Sequence, residues 1–197
     1  MAKITAPLFG LGARGQLGKV LVYFPWKGID CAREYVIPTN PKTALQTAQR
    51  NKLTAAVDEF HAASYNSLDI GAWTRYASTL AAVMTGFNAM CRTHIKEAIL
   101  GNAWERIANC RVDYIMADTF RVLIDKTYPG NVPTLHYGTS KTYQGSTMAF
   151  VYEGGDVWTA TPVGLTKSTD YWFWVDCGAS GTDYGRLGLY KVRTAAA

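Results

Sequence analysis

The spacing of apolar residues changes once along this chain, near residue 104, and that change constrains the fold more than any other feature. Before it, Leu45, Ala48, Leu53, Ala56, Val57 and Phe60 recur at helical spacing, as do Trp73, Tyr76, Ala77, Leu80, Met84 and Phe87. Residues three and four apart share one helix face, so the pattern predicts amphipathic helices. After it, Phe120, Val122 and Ile124 alternate with Arg121, Leu123 and Asp125; Tyr171, Phe173, Val175 and Cys177 alternate with Trp172, Trp174 and Asp176. A period of two belongs to a strand with one buried face.

Local signals refine this division. Asn40 can cap a helix and Pro41 suits its first position, so a helix is expected to start there. Residues 64–68 interrupt the pattern. Asp69 is expected to cap the next helix, which continues, kinked near Gly86, through Ile95 and Ile99 to Gly101. In the second half, Pro129-Gly130-Asn131 and Gly138-Thr-Ser read as turns. Further strands are expected at 135–137, 157–163 and 187–194, giving seven short antiparallel strands in a sandwich. The first 38 residues are Gly-rich and then extended around Val20, Val22 and Tyr23, with Pro25 and Gly28 able to turn the chain. An isolated two-stranded ribbon is marginal in water, so this arm should lie against something else. The expected fold class is therefore α+β in two modules: an N-terminal β-arm (1–38) with a helical hairpin module (39–104), then a C-terminal seven-stranded antiparallel β-sandwich (105–197).

Composition bears on function. Apolar residues make up 48% and charged residues 18%, which suits a folded chain. The net charge of +5 comes from scattered Lys and Arg, whereas phosphate-backbone binding draws on a clustered stripe, so nucleic acid is not the expected partner. Neither a signal-peptide core nor an apolar run of membrane-spanning length is present, and synthesis in a cytoplasm without export is expected. The four cysteines, Cys31, Cys91, Cys110 and Cys177, are widely spaced. Close Cys pairs are what zinc sites use, so reduced, partly buried thiols are expected.

Reactive constellations are weak. Gly10-Leu-Gly12-Ala-Arg-Gly15 matches a dinucleotide fingerprint in spelling but lacks the preceding strand and following helix that aim N–H groups at a pyrophosphate. Cys91 and His94 share a helix face without a third ligand or an orienting carboxylate. His61 lies near Asp58 and Glu59, as on a solvated helix face. No catalytic residue, metal or cofactor is assigned, and an enzyme is not expected. Two surfaces suit binding. In the arm, Lys19, Trp26, Lys27 and Arg33 combine charge with an aromatic anchor, either for docking on a neighbour or for folding back over the chain's own helices. In the sandwich, Trp172 and Trp174 should point outward on the face that carries His136, as a subunit interface or a platform for a glycan. The opposing reading has Tyr143, the loop in the 150s or the helices covering them.

Two resemblances add to this reading. Residues 107–194 resemble a fibronectin type III domain: Leu165-Thr-Lys-Ser-Thr-Asp-Tyr171 looks like the family's Leu-x-Pro-x-Thr-x-Tyr corner, with Lys167 in place of Pro. Leu135-His-Tyr-Gly-Thr-Ser140 resembles the end of its strand C, and Arg193-Thr194 its exit from strand G. The resemblance implies that the Tyr171 hydroxyl returns to the preceding backbone and pins the connection between the sheets, with Leu165 opening the corner. Residues 10–101 are similar to a group of phage and prophage proteins through Gly15-x-x-Gly18-Lys19, Trp26-Lys27-Gly28, Arg33, Pro38-x-Asn40-Pro41-x-Thr43-x-x-Gln46-x-x-x-Arg50, Ala72-Trp73-x-x-Tyr76, Gly86-Phe87-Asn88 and His94-Ile95. That similarity implies a virion structural protein, such as a capsid decoration, neck, tail or head-fibre component. Its partners would be other virion proteins and its own copies, with glycan or host-surface contact in the alternative of a receptor-binding module, and a DNA-associated particle protein as a further alternative.

Overall fold

The chain was described through a computed structural model covering residues 2–3, 14–37, 39–40, 42–127, 130–178 and 183–196. It divides into two compact units, residues 1–43 and 44–197.

In the first unit, β1 (Ala2–Lys3), β2 (Gly15–Leu17), β3 (Leu21–Trp26) and β4 (Ile29–Glu34) form one sheet in the order β1-β4-β3-β2. The β3–β4 hairpin pairs Trp26 with Ile29 across the two-residue turn Lys27-Gly28. Both turn residues have positive φ, 50° and 78°, the geometry that matches the twist of the flanking strands. The turn therefore falls at Lys27-Gly28, and Pro25 sits inside β3 opposite Asp30. Among the described side chains of this unit only Cys31 is buried.

The second unit begins with α1 (Ala44–Ala62), followed by α2 (Ser67–Ala77) and α3 (Gly86–Leu100). Three helix boundaries differ from the sequence expectation, each for a local reason. The first helix starts at Ala44, not at residue 41: the Asn40 side chain accepts from the Lys42 N–H, and Lys42 adopts a positive φ of 46° that no right-handed helix passes through. Pro41 lies outside the described residues. The N-cap of α2 is Asn66, and Asp69 instead fills the third helical position of a reciprocal capping box. Helix α2 stops at Ala77 because Ser78 and Thr79 turn their hydroxyls back to the carbonyls of Arg75 and Tyr76. A separate helix then restarts on the Thr85 cap and ends at left-handed Gly101.

Among the described residues ten strands follow: β5 (Ala103–Trp104), β6 (Ala108–Asp113), β7 (Arg121–Asp125), β8 (Thr134–Gly138), β9 (Ser146–Ala149), β10 (Val151–Gly154), β11 (Val157–Ala160), β12 (Asp170–Gly178), β13 (Asp183–Arg186) and β14 (Tyr190–Arg193). One sheet runs β10-β11-β7-β6; the other runs β5-β13-β12-β8-β9, with β14 also on β12. These orders are those of an immunoglobulin-like sandwich, A-B-E-D against G-F-C. The extra strands over the expected seven are short: β5 adds in parallel to β13, β9 pairs with β8 at the other edge of that sheet, and the last strand is split into β13 and β14.

That split joins the helices to the sandwich. Between β13 and β14 the Leu189 N–H leaves the ladder and donates to the Ala72 carbonyl of α2. Gly188 lies so close to α2 that a Cβ there would fall 2.3 Å from the Ala72 carbonyl carbon. The core is accordingly continuous from Trp73 and Met90 to Phe120, Ile124, Leu135, Phe173 and Val175.

At the sandwich corner, the Tyr171 hydroxyl accepts from the Thr166 N–H at 3.0 Å, and the Leu165 N–H donates to the Asp118 carbonyl. Removing that one hydroxyl in Tyr171→Phe is expected to destabilise by about 1 kcal/mol, leaving the Thr166 N–H without its partner. Urea unfolding would show a lower midpoint at unchanged slope; an unaltered midpoint would mean the corner bond is replaced by solvent at no cost.

Candidate functional site

The outward face of the larger sheet is built by the alternation along β12. Tyr171, Phe173, Val175 and Cys177 are buried, while Asp170, Trp172, Trp174 and Asp176 face outward and are half-buried. Register then selects the neighbours: Trp174 stands opposite His136, Trp172 opposite Lys191 and Gly138, and Asp176 opposite Arg186. Directly opposed side chains interact most strongly in such pairs.

Both tryptophan rings are engaged. His136 stacks on Trp174 with centroids 3.9 Å apart and planes 2° from parallel. The Arg186 guanidinium lies 4.2 Å from the Trp174 centroid and also 4.2 Å from that of Tyr76 on α2. Two groups cannot share one ring face at such distances, so imidazole and guanidinium take opposite faces of Trp174. The resulting stack runs Tyr76–Arg186–Trp174–His136, and His136 Nε2 meets Asp176 at 3.0 Å. Burial pushes the Asp176 carboxyl up, with His136 and Arg186 pulling it partly back. Trp172 carries the ammonium groups of Lys191 and Lys141 at 5.4 and 5.8 Å. Lys141 also donates to the Ser78 hydroxyl, and Lys191 pairs with Asp170 at 2.7 Å, holding that carboxyl below its ordinary range. With both faces of Trp174 occupied, a sugar could stack there only by displacing one of them.

The arm residues lie in the other unit. Lys19, Trp26, Lys27 and Arg33 are all exposed, Trp26 at 56%, and the Arg33 guanidinium lies 5.4 Å from the Phe24 ring. The Gly10–Gly15 motif falls mostly outside the described residues.

Reactive groups elsewhere are quenched by their surroundings. The cysteines are unpaired and buried, and burial pushes the thiols of Cys91, Cys110 and Cys177 up, away from the nucleophilic thiolate. Lys126, its side chain buried, pairs with Glu105 at 2.7 Å beside Cys177. Burial raises Glu105, but Lys126, Cys177 and the Asn131 N–H outweigh it and leave the carboxyl below its ordinary range. His94 packs on Trp104 at 5.0 Å, and burial lowers its pKa. Glu59 forms a two-point pair with Arg106, which takes it away from His61. Among the described residues no group of three or more His, Cys, Asp or Glu could hold a metal ion, and no helix is long and apolar enough to cross a membrane.

Two surfaces escaped the sequence reading. One is an apolar groove of about 560 Å³ between α1 and α3. The other is a cationic cleft of about 240 Å³ where α2, α3 and β13 meet, lined by Arg92, Lys96 and Arg186 among others. The only sequence signal for the groove was the apolar residue at every fourth position of α3.

No family model matches this chain, and no curated protein matches it. Among solved structures, it is similar to the fibronectin type III domain of the human collagen alpha-1(XX) chain, at 22% identity over 45% of this chain and 80% of that one, with a TM-score of 0.35. It is similar to the FN5 domain of Drosophila Lar at 14% identity, over 45% of this chain and 94% of that one, with a TM-score of 0.34. A computationally redesigned β-sandwich protein is 17% identical over 46% of this chain and 90% of that one, with a TM-score of 0.37.

Proposed function

We propose that this chain is a non-enzymatic structural subunit of a phage particle, acting by assembly, with its sandwich serving as a fibronectin type III-type spacer. One observation carries the assembly reading. The arm is a four-stranded sheet whose described side chains bury only Cys31. Leu17, Val20, Trp26, Ile29, Val36 and Ile37 all remain exposed. A sheet whose described side chains form no core of their own gains its stability from whatever covers it, and apolar surface of this kind marks an interface. The resemblance of the N-terminal motifs to those of phage and prophage proteins is what favours a phage particle.

The test uses the whole chain with Trp26→Asp and Ile29→Asp. Sedimentation of the wild type over a concentration series is expected to show growing assemblies, and the double variant is expected to stay monomeric with an unchanged circular dichroism spectrum. A wild type that remains monomeric at every concentration would sink assembly through the arm. The virion reading has its own measurement: immunogold labelling of purified particles should decorate one position, and unlabelled particles would refute it.

A further inference from the structure

We infer that the groove between α1 and α3 is a docking site for an acidic amphipathic helix of another protein. On α3, every fourth residue from Phe87 through Cys91 and Ile95 to Ile99 faces the groove, and Leu53 closes it from α1. From Phe87 to Ile99 the stripe spans thirteen residues, roughly 18 Å of helix, enough to seat about three turns of a partner. Phe87, Leu53 and Ile99 are exposed at 37, 50 and 59%. The first turns of α1, by contrast with its last two, bury nothing: of residues 44–55 all are exposed but half-buried Lys52. A trough walled by two helices suits the helix-in-groove mode, in which apolar anchors three and four residues apart enter the trough.

Charge selects the occupant. Arg92 and Lys96 stand on the groove's rim and also line the neighbouring cleft, where Arg186 adds a third cation. Glu97, the one acidic residue among the described lining of that cleft, accepts from the Asn102 side chain. A partner whose apolar stripe is flanked by Asp or Glu therefore meets complementary charge along α3. A second copy would bring the same cations against themselves, and the chain as a whole carries +5. The chain's own arm segment is no better matched, because Arg14, Lys19, Lys27 and Arg33 outnumber Asp30 and Glu34. This site lies on the 44–197 unit and is independent of assembly through the arm.

The probe is a fluorescently labelled 18-residue helix with Leu at anchor spacing and Glu on both flanks, titrated into the full-length protein. Its matched control carries Lys for every Glu, and vesicles of neutral lipid with and without phosphatidylglycerol form a further arm. Saturable binding is expected for the Glu peptide and not for the Lys peptide. Affinity should fall by about tenfold or more in Arg92→Glu/Lys96→Glu and in Leu53→Asp, as expected when a rim charge pair or an anchor contact is lost. These positions are exposed or rim-lying, and thermal melts of the variants should overlay the wild type. The Trp26→Asp/Ile29→Asp variant should bind the peptide normally, which separates this site from the arm. No binding, equal binding of both peptides, or affinity unchanged in both groove variants would overturn the proposal. Tighter binding to anionic vesicles with the same residue dependence would overturn it in favour of a membrane surface.

Discussion

Replacing Asp69 with alanine is expected to destabilise the 44–197 unit by about 3–5 kcal/mol, the cost of breaking a buried charged network. Asp69 is fully buried, and four donors converge on it: the N–H groups of Asn66, Asn109 and Cys110 and the hydroxyl of Tyr190. It thus joins α2 to β6 and β14 at one point. A break in register between Ala108 and Arg111, with Asn109 at a φ of 53°, turns two successive β6 amides toward the carboxylate. Alanine would leave these donors buried and unpaired, each costing about 1–3 kcal/mol. Part of that cost is recovered where water enters. Burial raises the Asp69 carboxyl above its ordinary value despite the donors. The folded state therefore holds a proton there more readily than the unfolded chain does. That contribution to stability is full below the unfolded-state pKa and is lost as pH rises through the folded one. Chemical denaturation of Asp69→Ala and Asp69→Asn across pH would check both points: the alanine should be the weaker of the two, and the asparagine should lose the pH-dependent part. An alanine variant within about 1 kcal/mol of wild type, the worth of one ordinary hydrogen bond, would show that the network does not hold α2.

Gly188→Val should cost about 3 kcal/mol or more, at the upper end for overpacking, and Gly188→Ala somewhat less. A Cβ at Gly188 would lie 2.3 Å from the Ala72 carbonyl carbon and 2.4 Å from the Trp73 nitrogen. Both are helix backbone and cannot rotate aside. The φ of Gly188 is not in the left-handed region, so the penalty is one of space and not of conformation. Helix α2 would be pushed off the sheet, breaking the Leu189-to-Ala72 bond and loosening the fully buried Trp73. Hydrogen exchange is the decisive measurement: amides of α2 should lose protection while those of β7 and β12 keep theirs. Equal protection throughout, with a wild-type melting temperature, would show that α2 has room to move without cost.

These two positions mark where reading residues in order stops being informative. Asp69 has the chemistry of a helix cap, and local sequence places it at the cap itself, although the helix starts two residues earlier on the Asn66 cap. Its real partners come from β6 and β14, and a bulge had to aim them. Gly188 lies in an apolar run, Leu187 to Tyr190, that reads as unbroken strand; that it is a point of backbone approach depends on α2. Similarly, the apolar spacing of Leu80 and Met84 suggested one continuous helix, while the hydroxyls of Ser78 and Thr79 end it. That signal was present in the sequence but was weaker than the periodicity.

What the sequence by itself determined was the mixed class of the fold and the side on which each β12 residue lies. Helical and strand periods are properties of a few consecutive residues, and the pleat alone sends Trp172 and Trp174 to the face opposite Phe173. Tertiary structure alone decided what meets those rings. Arg186 and Lys191 arrive by cross-strand register, Tyr76 from a helix far away in the chain, and the α1–α3 groove exists only where two helices pack side by side. Contacts of that kind depend on how elements are brought together, which no local spacing encodes.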